Sequence, residues 1–131
     1  MTRLLPFIGF LLLQKRILID IGFRYELTPM QTIALLLLDK PLPMHSLTSA
    51  FGCDASNVTG IIDGLQHKGL VQRYENPSDR RVRMIELSAV GTKLRNTLFT
   101  HLVDEVDPNS IFSKLSQQEL KTFFHLLDRV T

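Results

Sequence analysis

Cysteine is almost missing from this chain: Cys53 stands alone among 131 residues. A single thiol excludes an internal disulfide framework and any metal site built from several cysteines. Charge of one sign is also scarce, with a net of only +2, which by itself marks no nucleic-acid partner. Aromatic residues are 8%, charged residues 21% and hydrophobic residues 44%. Those are ordinary globular values, and they exclude disordered, collagen-like and low-complexity classes. The sequence has no internal repeat, no Gly-x-Ser-x-Gly nucleophile elbow, no phosphate-binding glycine loop and no evident pair of catalytic carboxylates. Nothing therefore converges on enzyme chemistry, and neither an enzyme nor a cofactor is expected. The length suits one domain with a sizeable core.

What is present is unevenly spread. Of the first 38 residues, 23 are hydrophobic. Residues 66–95 hold seven Lys or Arg against three acids, a local +4, while residues 101–131 hold three bases against five acids. The apolar start, Leu4 to Leu13, invites comparison with a signal peptide. No small-residue cleavage site follows it, however, and Lys15, Arg16 and Asp20 interrupt the roughly 18 apolar residues a membrane span needs. No membrane association is expected, and the expected location is the cytoplasm. A helix apolar around most of its circumference cannot be enclosed by one small domain. Its second face is expected to pack on another copy of the chain, giving a homodimer.

The local signals place the remaining elements. Thr28, Pro29 and Gln31 make a capping box with proline at the first helical position, and the helix they open stops at Asp39-Lys40-Pro41-Leu42-Pro43. A short helix over about 44–51 is followed by a Gly52-Cys53-Asp54 turn, with Asp54 as the expected cap. The next helix, about 55–68, carries Val58, Ile61, Ile62 and Leu65 as its apolar stripe and Ser56, Asn57, Thr59, Gly60 and Asp63 on the other face. Gly69 closes it. Strands are expected at 70–75 and 82–87, joined by a turn over 76–81 that ends in Arg80 and Arg81. A long helix over 88–106 follows, and a second capping box at Ser116 and Glu119 opens a final helix with Leu120, Phe123, Phe124, Leu127 and Val130 as its stripe.

Two short helices across a glycine-containing turn, then a hairpin, spell a winged helix-turn-helix. The fold class is mainly α with a small β-hairpin wing (α+β), a winged helix-turn-helix flanked by N- and C-terminal helices. Residues 27–98 are expected to form the winged unit, with 1–26 and 99–131 on either side of it. A helix face of short polar side chains can approach base edges in the major groove. Arginines at a hairpin tip can reach phosphate or the narrow minor groove. Double-stranded DNA is the expected partner.

These residues resemble the MarR family of regulators. The family's wing signature, Asp-x-Arg, then five residues, then Leu-Thr-x-x-Gly, is matched at Asp79, Arg81, Leu87 and Gly91, with Ser88 in place of Thr. Leu27 to Gln31, Ser56 to Asp63 and Lys68 to Val71 are similar to the family's second-helix start, recognition helix and wing base. The resemblance implies a homodimeric transcription factor, usually a repressor, on a roughly palindromic operator, with residues 1–26 and 99–131 as its dimerisation helices. It implies that Arg81 enters the minor groove, that Asp79 orients it and that Arg80 adds a contact. It places Ser56, Asn57, Thr59 and Gly60 toward the bases, and Arg73 and Lys68 near phosphates. It also implies a small aromatic effector, bound between the dimerisation helices and the winged unit, where Phe7, Phe10, Leu11, Phe23, Met44 or His45 stand as lining candidates or as plain core.

The chain departs from the family at Gly60 and Gly64, where many members carry Arg or Lys. That departure supports an alternative: a winged-helix protein-interaction module with weak or no DNA affinity. The four histidines, 45, 67, 101 and 125, show no metal-ligand spacing among themselves. His101 and Asp104 share a helix face only as a two-residue signal, and no metal is expected. Cys53 reads as a small residue packed in a turn. The family's peroxide sensors carry their reactive cysteine in the first helix, which has none here.

Overall fold

Thr28 fixes where the second helix begins. Its hydroxyl accepts from the Gln31 backbone N–H at 3.2 Å, and the Gln31 side-chain oxygen accepts from the Thr28 N–H at 3.1 Å. Pro29 takes the first helical position, where its missing N–H leaves no bond unmade. The computed structural model describes residues 4–103, 108 and 110–131. Its elements in chain order are α1 (Leu4–Phe23), α2 (Pro29–Leu37), β1 (Leu42–Pro43), α3 (Met44–Phe51), α4 (Ala55–His67), β2 (Val71–Asn76), β3 (Asp79–Leu87), α5 (Ala89–Val103), α6 (Ile111–Lys114) and α7 (Gln117–Val130). The expected mainly helical fold with a small sheet is the one observed.

The core sits where α2, α3, α4 and α5 meet the sheet. Ala34 and Leu35 of α2, Leu47 of α3, Val58, Ile62 and Leu65 of α4, Ile85 of β3 and Leu98 of α5 are all fully enclosed. Each buried Val, Leu or Ile side chain contributes about 1.5–3 kcal/mol of burial. Helix α2 also touches α1 and α4 closely. A Cβ on Gly22 would fall 1.9 Å from Thr32 Oγ1, and one on Gly64 would fall 2.5 Å from Gln31 Nε2.

The sheet is antiparallel with order β1-β3-β2. β1 was not expected, since Pro41 and Pro43 read only as a helix stop. It pairs Leu42 with Ile85 and Pro43 with Met84, and proline is tolerated because this is an edge strand. The turn at the other end is shorter than the sequence suggested. β3 starts at Asp79, leaving Pro77 and Ser78 as the turn, with the Ser78 N–H donating to Asn76 Oδ1 at 2.8 Å. Arg80 and Arg81 therefore belong to a strand.

Two further local expectations are revised. Asp54 occupies the N-cap of α4 with extended backbone, but its side chain makes no capping bond. α6 was not anticipated; Ser110 opens it by accepting from the Phe112 N–H at 3.2 Å. Helix α5 is described to Val103, so Asp104 and Val106 of the expected longer helix lie outside the described residues. The notional boundary at 98/99 falls inside this continuous helix.

The end helices, an apolar α1 and an amphipathic α7, are largely uncovered. Leu4, Leu5, Phe7, Ile8, Leu11 and Leu12 of α1 are exposed, as are Phe124, Leu126, Leu127 and Val130 of α7. The expected α7 stripe buries only Leu120. Among the described residues, no helix is long and apolar enough to cross a membrane.

Candidate nucleic-acid interface

The wing is fastened to the helical body by the second half of the Leu-Ser-x-x-Gly stretch. Ser88 Oγ donates to the Gly69 carbonyl at 2.6 Å and accepts from the Gly91 N–H at 3.0 Å, so one hydroxyl caps α5 and ties it to the end of α4. Gly91 lies against the backbone of Leu70, where an added Cβ would sit 1.9 Å from the carbonyl oxygen. Gly69 itself has φ +74. Its N–H bonds Gln66 O at 2.9 Å and the Leu70 N–H bonds Leu65 O at 3.0 Å. That pair of bonds is a Schellman closure, which needs a left-handed residue and turns the chain directly into β2.

The outward face of α4 is flat and polar. Ser56, Asn57, Thr59, Gly60 and Asp63 are exposed while Val58, Ile62 and Leu65 point into the core. Nothing lies within 4 Å of a Cβ built on Gly60. Thr59 donates its hydroxyl to the Ala55 carbonyl at 2.9 Å, which leaves its methyl and lone pairs for an external partner. The two departures from the family pattern now separate. Gly60 is bare surface, whereas Gly64 adjoins Gln31 of α2 and is a packing residue.

At the hairpin tip the strand register slips. Glu75 pairs with Arg83 but its neighbour Asn76 pairs with Asp79, so residues 80–82 bulge from the ladder. Arg80 and Arg81 lie in that bulge. The Arg81 side chain is 91% exposed. Its Nε donates to Asp79 Oδ1 at 3.2 Å, its Nη2 to Oδ2 at 3.4 Å and its backbone N–H to Oδ1 at 3.1 Å. The Arg81 side chain, and then its backbone N–H, hold the Asp79 carboxyl below the ordinary aspartate value. The result is an exposed cation whose direction is set by a carboxylate two residues away.

Arg73 and Lys68, expected near phosphates, each hydrogen-bond within the protein, Arg73 half-buried and Lys68 exposed. Arg73 bonds Asp63 at 2.5 Å, the Thr59 carbonyl at 3.4 Å and the Gln66 side chain. Lys68 donates to the carbonyl of Glu26, which holds φ +57. The Asp63–Arg73 bridge was missed in the sequence. Its only trace there is an acid and a base ten residues apart, across a glycine that folds the strand back on the helix.

The remaining candidates disperse. Tyr25 OH and His101 Nε2 are hydrogen-bonded, joining the turn after α1 to α5. Asp104, the other half of the metal pair considered, lies outside the described residues. Among the described residues no three His, Cys, Asp or Glu side chains are grouped as metal ligands. Cys53 packs at the margin of the core. Of the effector-lining candidates, Phe10 lines a cavity of about 350 Å3 with Leu13, Gln14, Leu115 and Phe123. Phe7, Leu11, Phe23 and His45 are exposed and Met44 packs on the core.

The comparisons agree with this geometry. The MarR family profile matches residues 27–82. The HTH-type transcriptional regulator MhqR of Bacillus subtilis is 28% identical over 88 residues, which are 67% of this chain and 59% of that protein. The match thus spans little more than half the length of that relative. A probable transcriptional regulator from Pseudomonas aeruginosa is 30% identical, with a TM-score of 0.65 over 95% of this chain and 96% of the other. Wild-type apo MarR from E. coli shares the fold, at 21% identity and a TM-score of 0.74 over 99% and 95% of the two chains. A mutant of that protein complexed with operator DNA superposes at 0.63, with 22% identity over 98% and 93%. On its sequence and its winged-helix architecture, this chain belongs to the MarR family.

Proposed function

We propose that this chain is a sequence-specific, double-stranded-DNA-binding transcriptional regulator, acting in the cytoplasm as a homodimer that represses from a pseudo-palindromic operator. The observation that carries the reading is the exposed Arg81, aimed by Asp79 from a bulged wing that is itself bridged to the bare polar face of α4. In this reading α4 reads the major groove through Ser56, Asn57, Thr59 and the surface at Gly60. Arg81 enters the minor groove, with Arg80 as a second contact. The operator-DNA complex of the E. coli relative supports the assignment. Residues 1–26 and 99–131 serve as the dimerisation region, supported by the uncovered apolar faces of α1 and α7. A small aromatic effector releases the DNA.

Fluorescence anisotropy of labelled duplex DNA across a salt series tests this. Binding by phosphate neutralisation falls steeply as salt rises, because counterions are released. The bare surface at Gly60 favours the protein-interaction alternative. Weak binding without salt dependence would support that alternative and contradict the proposal.

A further inference from the structure

Arg73 has the residue type and position of a phosphate contact, yet its charge is already satisfied within the protein. Its side chain is only 21% exposed, against 91% for Arg81. One Nη2 meets Asp63 at 2.5 Å and the Thr59 carbonyl at 3.4 Å, while Nη1 meets the Gln66 side chain. The three acceptors lie on successive turns of α4, and Arg73 itself sits in the middle of β2, paired with Ile85 of β3. One planar guanidinium thus spans two turns of the recognition helix from a strand that is continuous with the wing. Thr59 and Asp63 are also on the exposed face that the DNA reading turns toward bases.

We infer that Arg73 is a positioning residue. It locks the angle between α4 and the wing, so that major-groove and minor-groove contacts are reached together, and it makes no phosphate contact of its own. This rests on the DNA-binding reading above. The consequence is a sign reversal. Asp63 is exposed, so replacing it with a neutral isostere removes a negative charge from the DNA-facing side. Electrostatics alone then tightens binding to any sequence. Loss of the lock instead weakens binding only where both grooves must be read in register.

The test compares wild type, Asp63→Asn and the net-charge-conserving double variant Asp63→Asn with Arg73→Met. Each is titrated against an operator selected from random duplexes and against a scrambled duplex of equal length, across a salt series. The expected result for Asp63→Asn is a fall of about tenfold in the operator-to-scrambled affinity ratio, with scrambled binding unweakened. The double variant shows the same loss of ratio and a salt slope equal to wild type. Amide exchange without DNA, faster over residues 59–66 and β2 but not in α7, reads the lock directly. Tighter binding of Asp63→Asn to both duplexes, or a slope lower by about one in the double variant, overturns the inference and returns Arg73 to the phosphates. If wild type binds no duplex, the regulator reading fails, and unchanged exchange in the variants then separately overturns the lock.

Discussion

Arg81 and Asp79 hold each other two residues apart in one strand. The guanidinium donates to both carboxylate oxygens, and the Arg81 backbone N–H adds a third bond to the same group. The ladder slip between Glu75 and Asn76 leaves Asp79 paired and frees residues 80–82 from regular pairing. The pair is surface-exposed, so its value lies in direction and little of it in stability.

The Asp79–Arg81 pairing depends on pH. The folded-state pKa of Asp79 is lowered, first by the Arg81 side chain and then by its backbone N–H. A depressed carboxyl pKa means the pairing is fully present above the unfolded aspartate value and is lost as pH falls through the lower folded value. Carboxyl-carbon NMR titration of wild type and Arg81→Gln should show Asp79 titrating at higher pH in the variant. An identical midpoint would contradict the pairing.

Arg81→Ala should abolish measurable operator binding. Because the side chain is 91% exposed, its removal should leave unfolding free energy within about 0.5 kcal/mol of wild type. Denaturant melts and anisotropy on one preparation check both halves. Retained affinity would sink the wing assignment.

Two glycine substitutions should move stability in opposite directions. Gly60 has open space where a Cβ would go and lies inside a helix, so Gly60→Ala should stabilise by about 1 kcal/mol. Gly91 abuts the backbone of Leu70, so Gly91→Ala should destabilise by about 3 kcal/mol through displacement of α5 from the wing base. Equilibrium urea unfolding reads both values.

The α1 face should be an interface between copies. Leu5 and Leu12 are 71% and 61% exposed in the single chain, and they lie seven residues apart on one helical face. The double variant Leu5→Glu with Leu12→Glu should sediment as one chain where wild type sediments as two, with far-UV helicity retained. A wild-type monomer, or an unaffected dimer, would contradict the proposal.

What could be read in advance was local chemistry. The capping boxes at Thr28–Gln31 and Ser116–Glu119 formed as their spacing implies, because both partners lie within one turn. The apolar excess of the first helix was equally plain, because burial needs a partner surface whatever the fold. What escaped depended on contacts between distant elements. β1 is two residues long and contains proline, so only its pairing with Ile85 and Met84 makes it a strand. Gly60 and Gly64 sit one turn apart and look equivalent in sequence. Gln31, more than thirty positions earlier, makes one a packing contact and leaves the other bare. Arg73 carried the right charge for DNA, and only the return of β2 along α4 shows that its charge is spent on Asp63. Likewise, the net charge of +2 concealed the wing's basic cluster because an acidic C-terminal segment offsets it.

Two copies of this chain are expected to read DNA through α4 and the wing. Selection of bound sequences from random duplex DNA tests it most directly. The expected result is enrichment of a palindrome whose half-sites lie about one helical turn apart, lost when the selection is repeated with Arg81→Ala. Recovery of no enriched sequence, or of the same sequence by both proteins, would contradict it.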